Sequence, residues 1–303
     1  LRVRDLSLLL TKALGSRWKL FPALAAGAAL SVSSTPAEDR EQEVDVARLY
    51  VDYRASPAAT VRLGKFLTPV GQWNLVHADP LTWTVSRPLT TSAAFARHAA
   101  GLMLYGTQSV AGRDMDYWVF ADNTQHLDVG QDQDEAFSSY GADGTVHNNF
   151  THALGGRVLY HLIDDRLGVG ISWLAYGLQI PRQEFRLVGL DFSWSGRLAS
   201  FTGEAVVRSS DGVQTPAERG GFLEAQIPIA AHLFGVARYE RYRADTPLLA
   251  EQTLQSTQTL NLRTLGLNYQ PTQGLVLKLE HRSDTNARQI APGGWLVSVA
   301  VLF

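Results

Sequence analysis

The side chains able to do chemistry in this chain are arginines and carboxylates that recur two residues apart. Arg48, Asp52 and Arg54 form one run, with Arg62 shortly after; Glu204 and Arg208, then Glu224, then Arg238 and Glu240, and Lys278, Glu280 and Arg282 form others, with Asp191 among them. Residues i and i+2 of a β-strand share a face, so each run would present charge to one side of a sheet. Rows of mixed sign make a polar wall with weak net ion selectivity. The plainer alternative is a set of cross-strand ion pairs that stiffen the sheet. A second group, Asp128, Asp132, Asp134, Glu135 and Asp143 with His126 and His147, lies in 124–149. Hard oxygens in that number can bind calcium, but the spacing is not that of an EF-hand, and a solvated acidic loop is expected.

Catalytic chemistry is mostly excluded. The chain has no cysteine, which removes disulfides, thiolate catalysis, iron–sulfur clusters and cysteine-based zinc sites. No glycine-rich phosphate loop, dinucleotide fingerprint or HExxH is present. His147 and His152 beside Asn148 and Asn149 faintly suggest an outer-membrane lipase, yet no serine follows histidine at the required spacing and no acyl-transfer triad can be assembled. The expectation is no enzyme, no metal and no cofactor. The 27 Lys+Arg against 29 Asp+Glu give a net charge of -2, which argues against nucleic acid as a partner.

The elements that must position these charges are legible from hydropathy. Charged residues make up 18% of the chain and mean hydropathy is -0.07, while no stretch is long and apolar enough for a membrane helix. Apolarity instead alternates. Trp295, Val297, Val299, Val301 and Phe303 share one face; Leu275, Leu277 and Leu279 oppose Lys278, Glu280 and Arg282; Leu167, Val169, Ile171 and Trp173 oppose Gly168, Gly170 and Ser172. Val188, Leu190, Phe192 and Trp194 likewise oppose Gly189, Asp191 and Ser193, and Leu49, Val51 and Tyr53 oppose Arg48, Asp52 and Arg54. A soluble sandwich also alternates, but many of these runs extend for 9 to 12 residues, the length of a tilted bilayer-crossing strand. Tyr53, Phe66, Tyr117, Tyr160, Trp173, Trp194, Tyr239, Tyr269, Trp295 and Phe303 near run ends suit an aromatic girdle. The expected fold is all-β, a single transmembrane antiparallel β-barrel over 1–303.

About fifteen strands are expected: 2–14, 18–33, 44–54, 59–68, 98–108, 114–123, 150–161, 166–175, 182–195, 197–208, 218–227, 231–243, 258–270, 274–283 and 293–303. Tight connections alternate with longer ones at 34–43, 69–97, 124–149, 209–217, 244–257 and 284–292, and 176–181 fits this scheme least well. An odd count makes the first and last strands parallel, whereas single-chain bacterial barrels close with an even number. The expectation is 16 strands in the intact protein, one preceding Leu1. Residues 17–34 also resemble a secretory signal, but Pro22 and the amphipathic segment before it favour a strand.

Two segments resemble known families. The chain ends on Phe303 at an apolar-face position, which resembles the C-terminal signature of bacterial outer-membrane proteins. Residues 47–54, then Val61-Arg62-Leu63-Gly64-Lys65-Phe66-Leu67-Thr68-Pro69-Val70-Gly71, Trp73-Asn74, His77 and Arg87-Pro88-Leu89 resemble the porin O and P family, the phosphate-selective porin-like proteins. The resemblance implies a 16-stranded, usually homotrimeric channel in outer-membrane lipid for small hydrophilic or anionic solutes. It also implies that 69–97, holding Trp73, Asn74, His77, Trp83 and Arg87, is a lumen-inserted constriction loop; a segment this long without its own strands is usually functional. Phosphate-specific members rely on lysine and arginine, and this chain has only four lysines, Lys12, Lys19, Lys65 and Lys278, so weak selectivity is expected. The alternative is a barrel housing or fused to an electron-transfer cytochrome.

Overall fold

The computed structural model describes residues 2–31, 44–76, 79–123, 150–163, 166–178, 183–210, 218–244, 258–285 and 293–301. Its strands are β1 (Arg2–Leu9), β2 (Lys12–Leu14), β3 (Trp18–Ser31), β4 (Val44–Ser56), β5 (Ala59–Leu67), β6 (His98–Val110), β7 (Arg113–Asp122) and β8 (Phe150–Leu162). They continue with β9 (Leu167–Leu178), β10 (Gln183–Ser195), β11 (Ser200–Ser210), β12 (Glu218–Ala230), β13 (Leu233–Ala244), β14 (Gln258–Thr272), β15 (Leu275–Thr285) and β16 (Gly294–Val301). Sequence neighbours pair antiparallel throughout, and β1 and β2 are two pieces of one line that both pair β3. The expected first strand is thus broken in two, and the expected strand at 18–33 is described from Trp18 to Ser31. Among the described residues no pairing joins β1 to β16, so the sheet is open there.

Connection lengths divide the sheet into two ends. One end carries only tight turns, such as Ala111–Gly112, where both residues have positive φ (52° and 76°) as a two-residue hairpin turn requires. The other carries 32–43, 68–97, 123–149, 211–217, 245–257 and 286–293, the arrangement of short turns at one end and long loops at the other that strand barrels have. The connection at 179–182 is short but lies on this same side, because Leu178 pairs with Gln183 at the top of the β9–β10 ladder. Segment 124–149, and with it the calcium expectation, lies outside the described residues, as do His77 and Phe303.

Alternation along each strand sorts the side chains. Leu102, Leu154, Ile171, Val188, Leu223, Leu265, Leu279 and Val297 are exposed on the outer face, which is costly in water and favourable against lipid. Trp18 packs on Tyr53 and Trp194 on Phe201 at the tight-turn end, while Tyr117 and Tyr160 donate to the Ala58 and Val110 carbonyls there. These satisfied rings suit a membrane interface. Phe66 is a correction: it is fully buried on the inner face, edge-on to Phe120 at 6.1 Å, because its even position on β5 points inward with Arg62.

Candidate functional site

Residues 68–97 leave the top of β5 and fold inward instead of outward. The segment is tied at its neck, where the Thr68 amide and hydroxyl donate to the Arg97 and Ala96 carbonyls. Asn74 braces the neck from inside, donating to the Thr68 and Arg97 carbonyls at 2.7 and 3.1 Å. Arg87 donates to Asn74 Oδ1 at 2.6 Å and lies over the Trp73 ring. One short helix, α1 (Leu89–Ala93), and 3-10 turns at Trp73–Leu75 and Asp79–Leu81 are its regular structure. Such a segment cannot satisfy its own backbone, so buried amides must find partners on the wall.

Three glutamates on alternate strands supply them. Glu204 of β11 accepts from the Trp73 amide, Glu240 of β13 from the Leu89 amide at 2.7 Å, and Glu280 of β15 from the Val85 and Ser86 amides at 2.7 and 3.3 Å. Charge-assisted bonds to backbone N–H are among the stronger hydrogen bonds. Arg238 binds both wall and loop: its guanidinium reaches Glu240 at 2.8 Å, Glu224 at 3.3 Å, the Thr84 hydroxyl at 2.6 Å, and the Ser86 hydroxyl and carbonyl at 2.8 and 3.0 Å. Lys278 donates to the Thr82 hydroxyl at 2.6 Å and the Thr84 carbonyl. Asn268 donates to the Trp83 carbonyl, and the Trp83 ring packs edge-on against Phe234. At the helix end, Tyr176 and Arg208 both donate to the Ala94 carbonyl, and Arg208 also pairs with Glu218.

Burial separates the twelve charged residues expected along the wall. Glu204, Glu224, Arg238, Glu240, Lys278 and Glu280 are buried and engaged with the loop; they hold it instead of facing open water. Arg54 is exposed near the tight-turn end, and Arg282 is half-buried on the inner face of β15. Arg48, Asp52 and Arg62 form a separate group on β4 and β5. Arg62 grips Asp52 with two bonds of 2.7 and 3.0 Å and lies 3.6 Å from the centre of the Tyr50 ring. Tyr105 donates to Asp52 at 2.9 Å, and Phe21 stacks on Tyr50 at 4.8 Å. Arg48 sits over Phe21, half-buried, with no ion pair among the described residues.

Sequence reasoning missed two parts of this arrangement. Arg157 of β8 grips Asp191 of β10 through two bonds while 2% exposed, with its guanidinium 5.3 Å from the centre of the Trp118 ring. Its inward orientation was hard to read because its neighbours on the same face, Gly155 and Leu159, are not polar. Gly71 is the other: its φ is 65° and an added Cβ would fall 2.7 Å from Glu204 Cδ. Replacing Gly71 with alanine is expected to cost about 1–3 kcal/mol through backbone strain and displacement of Glu204; urea unfolding of the lipid-reconstituted protein reads this, and unchanged stability would refute the close seating.

No family model matches the chain, and no curated protein matches it in sequence. Solved structures do match in fold. An anion-selective porin from Comamonas acidovorans superposes with a TM-score of 0.59 at 16% identity, covering 98% of this chain and 87% of that one. OmpF of Salmonella typhi, in complex with daunomycin, gives 0.59 at 11% identity, covering 98% and 88%. A trimer form of OmpT, an outer-membrane protein of Vibrio cholerae, gives 0.57 at 9% identity, covering 97% and 87%. With its apolar outer face and its polar inner face packed by the 68–97 segment, the chain has the fold of the outer-membrane porins.

Proposed function

We propose that the chain forms a water-filled outer-membrane channel, not an enzyme, for passive diffusion of small hydrophilic or anionic solutes, with weak selectivity and its bore narrowed by 69–97. The observation that carries this reading is the asymmetry of the interior. The loop leans on β11 to β15 and caps their buried charges with backbone amides, carbonyls and hydroxyls, while the opposite wall presents Arg48, Arg62 and Asp52. Asp52 offsets Arg62, so Arg48 carries the uncompensated charge, and selectivity is modest and anionic. Relatedness to porins O and P over 47–98 and assembly as a homotrimer belong to the same proposal. The trimer form of the OmpT structure supports the latter, and the comparisons lend nothing to the cytochrome alternative.

Reconstitution in planar bilayers tests the channel. Stepwise ion conductance is expected, and a silent, folded protein would refute it. Under a salt gradient, Arg48→Ala is expected to move the reversal potential towards cations and Asp52→Asn towards anions. Identical potentials for both variants and wild type would remove these residues from the bore.

A further inference from the structure

The inserted segment wears its polarity the opposite way from a strip of chain lying in open water. Burial alternates along 81–87, and the even positions spend their hydroxyls on the wall: Thr82 accepts from Lys278, and Thr84 and Ser86 from Arg238, all three being buried. The backbone is held the same way, with the Val85 and Ser86 amides on Glu280 and the Trp83 carbonyl on Asn268. What is left over is apolar. Leu81 is 62% exposed, and Trp83 and Val85 are half-buried. Arg87 comes next, but it is turned onto Trp73 and Asn74. The surface that this strip leaves uncovered is therefore aliphatic and aromatic, because its polar atoms are spent on β13 to β15.

Across the bore, β3 to β6 present the reverse, a column of rings and guanidiniums on their inward positions. Arg48 lies 5.2 Å from the centre of the Phe21 ring, Phe21 stacks on Tyr50 with 9° between planes, and Arg62 lies over both Tyr50 and Tyr105. One end of the column is satisfied, since Asp52 takes Arg62 in two bonds. The Arg48 end is not. Arg48 makes no ion pair among the described residues, and its Nε is enclosed without a hydrogen-bond partner. Arg97, at the neck of the inserted segment, adds a second positive charge to the field at Arg48. A carboxylate answers such a guanidinium with charge-assisted bonds. An inorganic anion would gain at Arg48 but leave the opposite strip wetted, and a sugar would find no donor or acceptor on that strip. A carboxylate on an apolar body satisfies both sides at once.

We propose that the passage between Arg48 and the Leu81–Val85 strip is a saturable subsite for small monocarboxylates with an apolar, ring-bearing body, the carboxylate held at Arg48 while the ring moves along Leu81 and Val85. This rests on the channel reading, and the experiment separates the two. The full chain in planar bilayers, with chloride carrying the current, is the reference, and benzoate is the probe. Benzoate is expected to interrupt the chloride current saturably, with half-block at a concentration at least about tenfold lower than for acetate, gluconate or inorganic phosphate. Benzamide, which keeps the ring and lacks the charge, should leave the current as it was. Arg48→Gln should raise the half-blocking benzoate concentration at least about tenfold through loss of the charge-assisted bonds. Leu81→Gln with Val85→Thr should raise it at least about threefold and leave the acetate value in place. Arg48→Lys keeps the charge and should retain part of the block, which preserves the test should the glutamine variant not fold. Equal block by benzoate and acetate, block by benzamide, or wild-type benzoate affinity in the folded Arg48 variants would each overturn the subsite, while the chloride current left the channel standing. A wild type silent in chloride would overturn the channel and the subsite with it.

Discussion

Arg238→Ala is expected to release the inserted segment and raise single-channel conductance severalfold with increased open-channel noise. Arg238 bonds both Glu224 and Glu240, and it also holds Thr84 and Ser86. All five groups are buried. Breaking a buried charge pair by removing one partner costs about 3–5 kcal/mol, because the remaining charges stay desolvated and unpaired. Two carboxylates would be left here. The structure relieves them by admitting water, lifting residues 82–90 off the wall, and this weakens the grip of Glu240 on the Leu89 amide. The sheet pairs over seven residues or more on every ladder except the short β2–β3 one and does not depend on Arg238, so barrel formation should survive. The check is conductance together with the heat-induced gel shift of the barrel. A folded Arg238→Ala channel with wild-type conductance would show that the loop is held by other means. Arg238→Met with Glu224→Gln and Glu240→Gln should recover stability without restoring the loop bonds, which separates the charge penalty from the tether.

Most of the wall was legible in the sequence, and the reasons are local. The run from Trp295 to Val301 alternates without interruption, and β16 follows it with outward Trp295, Val297, Val299 and Val301. Where a strand carries a register shift, as at Ala23/Leu24, the period breaks, and where the inward neighbours are apolar or glycine, as Gly155 and Leu159 are around Arg157, the inward face loses its polar signal. The loop contacts were invisible for a different reason. Glu280 binds Val85 and Ser86 and Lys278 binds Thr82 across nearly two hundred positions, and only the curl of the whole sheet brings them together. Charge identity alone could not say which carboxylates face water and which cap buried amides. Gly71 carried a signal, since a glycine beside Pro69 and Val70 in a buried segment points to positive φ, but its partner Glu204 did not.

The second large effect is expected at Arg157. Arg157→Ala should destabilise the barrel by about 3–5 kcal/mol and loosen the start of the inserted segment, although among the described residues Arg157 bonds to the wall and not to that segment. The coupling runs through two carboxylates. Arg157 grips Asp191 on β10, and Asp191 is the cross-strand partner of Glu204 on β11. Glu204 in turn accepts from the Trp73 amide, while the neighbouring Gly71 amide donates to Ser172 of β9 at 3.1 Å. Without the guanidinium, two buried carboxylates face each other on adjacent strands, and like charges so placed repel. Their repulsion is relieved by water entering or by one carboxylate moving away, and both outcomes disturb the Trp73 seat. Asp191→Asn added to Arg157→Ala should therefore restore part of the loss, because it removes one of the two repelling charges; in a double-mutant cycle the coupling energy should be at least about 1–3 kcal/mol. Urea unfolding in lipid measures the stability arm and open-channel noise the loop arm. Simple additivity of the two substitutions would mean that Arg157 acts on the wall alone, and that Glu204 holds Trp73 without help from β8.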